Sequence, residues 1–285
     1  VPEGDTIFRA AQTLERVLGG QAVARFESVF PALTRIDEDQ PLAGRIVESV
    51  SARGKHLLMA FSGDLILHTH MRMNGSWHVY RPDERWRRPA RDLRILVGTA
   101  RAVAVGFNVP VAEFLSGRDL VRHPLLRTLG PDLLDPAFDR AEALRRLRSR
   151  AEAPIGDLVV DQRVVAGVGN VLRSEILFGA RVNPFDPVGR LSPDQLEGVL
   201  DEAVRQLGTN VRSRADRLAR PPSRRTTGSL HPDKALWVYG RAGQPCRLCG
   251  ATIQAARTGV HRRRTFWCPR CQAPAIGPHA GHHAP

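Results

Sequence analysis

Two groups of residues in this chain have the types and spacing for chemistry. The first is Cys246, Cys249, Cys268 and Cys271, the only four cysteines, arranged as two C-x2-C pairs with eighteen residues between them. Each pair can turn two sulfurs toward one ion, and four thiolates complete a tetrahedral zinc shell. A site closed in this way leaves no open position, so the metal would hold structure and do no chemistry. Two disulfides, or a zinc ribbon that binds only protein, are the alternatives for the same spacing. Between the pairs runs His261-Arg262-Arg263-Arg264-Thr265-Phe266-Trp267, a basic tip ahead of an aromatic strand. Such a tip, held rigid, suits contact with nucleic acid.

The second group opens the chain with Pro2, Glu3, Gly4 and Asp5. Val1 reads as a GUG start, translated as methionine and removed before proline, which leaves Pro2 with a free secondary amine. An α-amine has a pKa near 8, so roughly a tenth of it is neutral at pH 7. Such an amine attacks an aldehyde-like carbon and gives an iminium, an electron sink for elimination. Glu3 would lie beside it for proton transfer. The alternative is an N-terminal proline without a chemical role, as most are.

Other candidates are modest one by one. Lys55 and Lys234 are the only lysines among forty-two basic residues, and Lys55 sits in Arg53-Gly54-Lys55-His56, a loop entering a strand. A lysine there can aim at a phosphate or an aldehyde oxygen; chance is the alternative. His70-Met71-Arg72-Met73-Asn74-Gly75 ends a strand in a turn. Met73 there is a wedge for a base stack or an ordinary core methionine. In Ala166-Gly167-Val168-Gly169-Asn170, two glycines allow a tight turn, and Asn170 reads as the N-cap of the helix that follows. A helix start with free N–H groups is a phosphate site or an ordinary helical hairpin.

The elements that must position these residues fall into a pattern. Ile7, Ala10, Leu14, Val17 and Leu18 have helical spacing, with Asp5 or Thr6 as cap and Gly19-Gly20 as the stop. Strands are expected at 22–30, 45–50, 56–61, 65–70, 77–80, 93–97 and 102–107, with hairpin turns at Ser62-Gly63-Asp64 and at 98–101. Many short strands with tight turns make an antiparallel sandwich or barrel. Residues 81–91 read as a polar, basic loop, and the His123-Pro124, Gly130-Pro131 and Asp135-Pro136 steps as a boundary. Helices are expected at 141–151 and 192–207, and helical segments at 157–165 and 171–178. A mobile loop is expected at 212–227, and a disordered tail with His279, His282 and His283 at the end.

A chain of 285 residues suits two or three domains, and its net charge of +13 with a pI near 11.1 fits a polyanionic partner. No apolar run reaches the roughly 20 residues that span a bilayer. The opening residues lack the pattern of a signal peptide, and paired thiols without secretion point to a reducing cytoplasm.

Taken together, Pro2-Glu3-Gly4, Arg53-Gly54-Lys55, 70–75, Asp161-Gln162 through Asn170, and the cysteine module resemble the superfamily of formamidopyrimidine-DNA glycosylase and endonuclease VIII. The resemblance runs from Pro2 to Cys271. Pro2-Glu3-Gly4-Asp5 and 236–244 are similar to the actinobacterial endonuclease VIII type. It implies an α+β multidomain chain: an N-terminal antiparallel β-sandwich with an N-terminal helix (1–120), a linker (121–135), a helix–two-turn–helix domain (136–234), a zinc finger (235–272) and a tail (273–285). It implies Pro2 as nucleophile, Glu3 for proton transfer and ring opening, and Lys55 at the lesion phosphate in support of catalysis. It makes Asn170 a phosphate ligand and Arg263 a phosphate clamp counted with the catalytic set, while Arg262 and Arg264 lack that role. Arg72 and Met73 belong to the DNA-contacting turn.

Three departures stand out. Thr6 occupies the place of a second glutamate, 107–113 lacks an inserted Arg–Phe pair, and Arg72-Met73-Asn74 stands where the endonuclease VIII branch carries Gln-Leu-Tyr. The expected protein is a bifunctional DNA glycosylase/AP lyase of base excision repair. It would act on oxidised bases, pyrimidines foremost, in damaged double-stranded DNA, by Schiff-base chemistry and β,δ-elimination. It would carry one structural Zn2+ and no nucleotide cofactor, and work as a bacterial, nucleoid-associated monomer off the membrane. A zinc-dependent DNA-binding protein without catalysis, and a zinc-ribbon adaptor, are the competing classes.

Overall fold

The computed structural model describes residues 2–212, 224–229, 231–259 and 262–275. Val1, His261, the tail from 276 onward and most of the loop expected at 212–227 lie outside the described residues. The chain divides into two compact units, Val1–Thr128 and Leu129–Pro285. The division falls inside the 121–135 stretch, and the helical residues and the cysteine module belong to one unit.

The first unit opens with α1 (Gly4–Leu18), whose buried face is Ile7, Ala11, Leu14 and Leu18. Its N-cap is Glu3, not Asp5 or Thr6. The chain is already helical at Gly4, so Asp5 falls inside the first turn, fully buried. There follow β1 (Val23–Ser28), α2 (Pro31–Asp39), β2 (Val47–Arg53), β3 (His56–Phe61), β4 (Leu65–His70), β5 (Ser76–Tyr80), β6 (Leu93–Thr99), β7 (Val103–Phe107), β8 (Val111–Leu115) and the short α3 (Gly117–Arg122). The strands pair antiparallel in two sheets, ordered β1-β6-β7-β5 and β2-β3-β4-β8. Leu57, Met59, Phe61 and Leu67 from one sheet share a core with Ile95, Val97 and Ala104 from the other and with the apolar face of α1. This is a sandwich, held by burial of alternate side chains from both inner faces. Glu15 of α1 accepts the Val50 N–H of β2, which ties the helix to the sheet.

The sequence pattern misses α2, β8 and the short α3. The helix α2 starts with Pro31 at its first turn and buries only Leu33, so it shows no apolar stripe. The strand β8 follows Pro110 and carries Glu113 at its centre, which breaks the apolar run.

The second unit contains α4 (Arg140–Arg148), α5 (Ile155–Leu158), α6 (Asn170–Gly179), α7 (Pro193–Arg212) and the hairpin β9 (Gln254–Thr258) and β10 (Arg263–Trp267). The helical segment expected at 157–165 is only the four-residue α5; turns replace the rest, closed by bonds such as Val164 N–H to the Asp161 carbonyl. Every residue from Val171 to Phe178 is buried, so α6 is the axis around which this unit packs. Among the described residues no helix is long and apolar enough to cross a membrane.

Candidate functional site

Pro2 is half-buried, and Glu3 is 1% exposed at the head of α1. The Glu3 carbonyl accepts the N–H groups of Thr6 at 2.9 Å and Ile7 at 3.1 Å, which fixes its backbone. As the N-cap residue of α1, Glu3 stands at the positive end of the helix dipole. Lys55 occupies the two-residue turn between β2 and β3, the strands on which α1 packs. Pro2, Glu3 and Lys55 therefore belong to connected elements of the first unit.

Arg72, Met73 and Asn74 form the turn after β4, and all three are exposed. Met71 is the buried core methionine at 2%, while Met73 is 55% exposed. The exposure is what a wedge requires, and it sets aside the core reading of Met73. Arg72 is left-handed with φ 44°, a strained setting for a side chain larger than glycine. The turn lines an open cleft with Arg88, Arg94 and Asn108. The connection from β7 to β8 is only Asn108-Val109-Pro110, too short to insert an Arg–Phe pair.

In the second unit, Gly167 adopts φ 109°, which a side chain rarely tolerates, and Gln162 organises the turn around it. The Gln162 amide donates to the carbonyls of Val160 and Val168 at 2.8 and 3.0 Å, and its oxygen accepts the Gly167 N–H at 3.0 Å. The N-cap of α6 is Gly169 and Asn170 is already the first helical residue, so the helix starts one position earlier than expected. Its side chain is free of capping duty and bridges instead. Asn170 donates to the Arg264 carbonyl at 3.1 Å and accepts from Arg173 at 2.5 Å. Arg173, 2% exposed, also donates to Thr258 of β9 at 3.2 Å. Asn170 is thus brought to the hairpin that carries Arg263, which is exposed at the start of β10 and pairs with Thr258. Arg264 instead lies over the Phe266 ring at 5.1 Å.

Glu175 was not singled out by sequence, yet it anchors the cysteine module. Fully buried, it accepts the N–H groups of Trp237, Val238 and Tyr239, each at 2.8 Å, and the Thr226 hydroxyl. Burial pushes its carboxyl upward and these four donors pull it back. A lone acid inside an apolar helix was the available signal.

The four cysteine sulfurs lie within 4.8 Å of one another. Cys246 to Cys271 is 3.9 Å and Cys249 to Cys268 is 3.4 Å, so no disulfide joins them. The edge of a tetrahedron of thiolates around zinc is about 3.8 Å, given a Zn–S bond of about 2.3 Å. The separations fit one four-coordinate ion with no open position.

A β-sandwich headed by a helix, a two-turn helical unit and a four-thiolate hairpin define the class to which the chain should be compared. Residues 1–108 match the formamidopyrimidine-DNA glycosylase N-terminal domain, and residues 129–219 match the formamidopyrimidine-DNA glycosylase H2TH domain. A probable endonuclease 8 2 of Streptomyces coelicolor is 41% identical over 96% of this chain and 94% of its own. The DNA-(apurinic or apyrimidinic site) lyase Nei2 of Mycolicibacterium smegmatis is 38% identical over 95% of this chain and 99% of its own. Lactococcus lactis Fpg in complex with abasic-site DNA has the same fold, with a TM-score of 0.78 at 24% identity over 95% of this chain and 100% of that one. The chain belongs to the formamidopyrimidine-DNA glycosylase family, and relatives from Streptomyces and Pectobacterium carry the name endonuclease 8.

Proposed function

We propose that this chain is a bifunctional DNA glycosylase/AP lyase of base excision repair that removes oxidised pyrimidines from double-stranded DNA through the amine of Pro2. The observation that carries the reading is the pairing of Pro2 with Glu3, a carboxylate 1% exposed at the head of α1. The family membership and the lyase name of the Mycolicibacterium relative support it.

The target C1′ is unreachable inside a stacked duplex, so the damaged nucleotide must leave the stack. Exposed Met73, with Arg72 beside it, is the wedge that fills the gap. The Pro2 nitrogen lone pair attacks C1′, the bond to the base breaks with its electron pair leaving on the base, and the proton lost from the Pro2 nitrogen neutralises the departing base. Glu3 hands a proton to the sugar ring oxygen, the ring opens, and C1′ becomes an iminium. The iminium acidifies C2′; loss of that proton expels the 3′ phosphate, and loss of the C4′ proton then expels the 5′ phosphate. Lys55 holds the lesion phosphate, while Arg263 and Asn170 hold other phosphates of the DNA backbone.

Cys246, Cys249, Cys268 and Cys271 would hold one structural zinc, which rigidifies the hairpin that carries Arg263. The protein acts as a monomer on the bacterial nucleoid. Borohydride reduction on abasic DNA tests the reading: a covalent complex joined at Pro2 is expected. Binding without trapping by a verified free-Pro2 preparation leaves a non-catalytic DNA-binding protein instead.

A further inference from the structure

The outer face of the β2-β3-β4-β8 sheet carries a second polar cluster that the proposed chemistry does not use. His56 and His68 are 6% and 1% exposed. His56 Nδ1 lies 2.8 Å from His68 Nε2, and His68 Nδ1 lies 2.8 Å from Glu113 Oε1. His123, just past α3, brings its Nε2 to 3.0 Å from the same Glu113 oxygen. His68 and Glu113 are direct cross-strand partners, and His56 is diagonal to His68 on the neighbouring strand.

Two imidazoles on one carboxylate suggest a metal site, and the three ligand atoms do lie within 4.8 Å of one another. The hydrogen-bond directions argue otherwise. The Leu126 N–H points at His123 Nδ1 at 3.3 Å, so Nδ1 is bare and the proton sits on Nε2. A cation on His123 Nε2 would move that proton to Nδ1, against the Leu126 N–H. With Glu113 as acceptor, His68 Nδ1 must donate, which leaves Nε2 bare to accept from His56 Nδ1–H. Every proton in the chain is thereby assigned, and each donor has an acceptor without any ion.

This chain of bonds ends at His56, the residue after Lys55. Arg53 and His56 are paired across the β2–β3 turn, and Gly54 and Lys55 are its two central residues. Gly54 has φ 59°, as the first position of a type II′ turn requires. Such a turn has no slack, so pinning His56 pins the backbone of Lys55. We infer that Glu113, acting through His68 and His56, is a positioning residue for Lys55. Its link to the proposed chemistry rests on the reading of Lys55 given above.

Three measurements on the full-length, zinc-loaded protein test the inference. Imidazole nitrogen NMR at neutral pH should show protons on His56 Nδ1, His68 Nδ1 and His123 Nε2, unmoved when zinc is added beyond one equivalent. Glu113→Leu removes the shared acceptor, and amide exchange across 53–56 should accelerate at least tenfold. Its trapping rate on abasic DNA should fall, by up to about a hundredfold if Lys55 shifts by an ångström. Glu113→Gln keeps an oxygen able to accept both N–H groups, so it should retain slow exchange and near-normal trapping. In a Lys55→Ala background, Glu113→Leu should cost nothing further. The opposite tautomers, or unchanged exchange in a folded Glu113→Leu protein, would overturn the inference whatever Lys55 does. Normal trapping by Lys55→Ala alone would instead sink the catalytic reading of Lys55.

Discussion

The side-chain amide of Asn170 donates to the main-chain carbonyl of Arg264 at 3.1 Å. A residue at the first turn of α6 thereby holds the β9–β10 hairpin, ninety-four positions downstream. Arg173 and Ser174 add two more ties, from the Arg173 guanidinium to Thr258 and from the Phe266 N–H to the Ser174 hydroxyl at 3.2 Å. The helical turn and the hairpin are one assembly, so Asn170 and Arg263 keep a fixed spacing.

Asn170→Ala should therefore act on stability as well as on binding. It removes the bridge and takes one acceptor from a buried guanidinium, at a cost of about 1–3 kcal/mol. A lower Tm and weaker DNA binding are expected together. An unchanged Tm with weakened binding would mean that Asn170 serves DNA only.

One tightly held zinc per chain is expected from the thiolate set, with apparent energies of about 10–16 kcal/mol typical of such modules. Cys268→Ser should release it and abolish DNA binding while the β-sandwich unit stays folded, as followed by metal analysis and circular dichroism. An active, metal-free protein would refute a structural role for the ion.

Stability should fall in mild acid for a reason located in the histidine cluster. Burial first, then neighbouring cationic groups, lowers His56 from 6.5 to about 3 and His70 from 6.5 to about 4. Both groups bind protons more readily when unfolded, so their contribution is fully present above pH 6.5. It is lost as pH falls from 6.5 toward about 4 and then 3. Urea midpoints from pH 7 to pH 4 should decline, and His56→Leu should flatten the decline if the protein folds. A profile that rises toward acid would contradict these histidines being neutral.

What the sequence revealed and hid follows from the range of the interactions. The cysteine pairs, the α1 stripe ending at Gly19 and the glycine turns are local patterns, and each became the expected element. Asn170 looked like a cap because capping is the local use of an asparagine before an apolar helix. Its actual partners lie on a distant hairpin. Glu175 binds N–H groups sixty-two to sixty-four positions away, and Glu113 meets His68 only through strand register. No spacing rule reaches such pairs. Helix α2 was hidden because one buried leucine gives no periodicity to read.

Arg263 and Arg264 are both exposed at the head of β10, but the Arg264 guanidinium also lies over the Phe266 ring. Arg263→Ala should weaken binding on all sequences and make the log–log salt slope shallower by about one unit. Arg264→Ala should change the slope less. The reverse order would move the phosphate clamp to Arg264.

The sharpest expectation concerns Pro2. Behind another residue its nitrogen is a tertiary amide without a nucleophilic lone pair, so mass spectrometry of the active protein should find Pro2 first. Borohydride should then trap the chain on abasic DNA, with the crosslink at Pro2. Pro2→Gly keeps a primary amine and should retain some lyase activity, whereas one added N-terminal residue should largely abolish base removal. Glu3→Gln should cripple base removal and spare more of the lyase step, because an abasic sugar already exposes its aldehyde. Equal loss of both steps would show that Glu3 serves the elimination as much as the ring opening. A crosslink mapped to Lys55 instead of Pro2 would transfer the nucleophile to the β2–β3 turn.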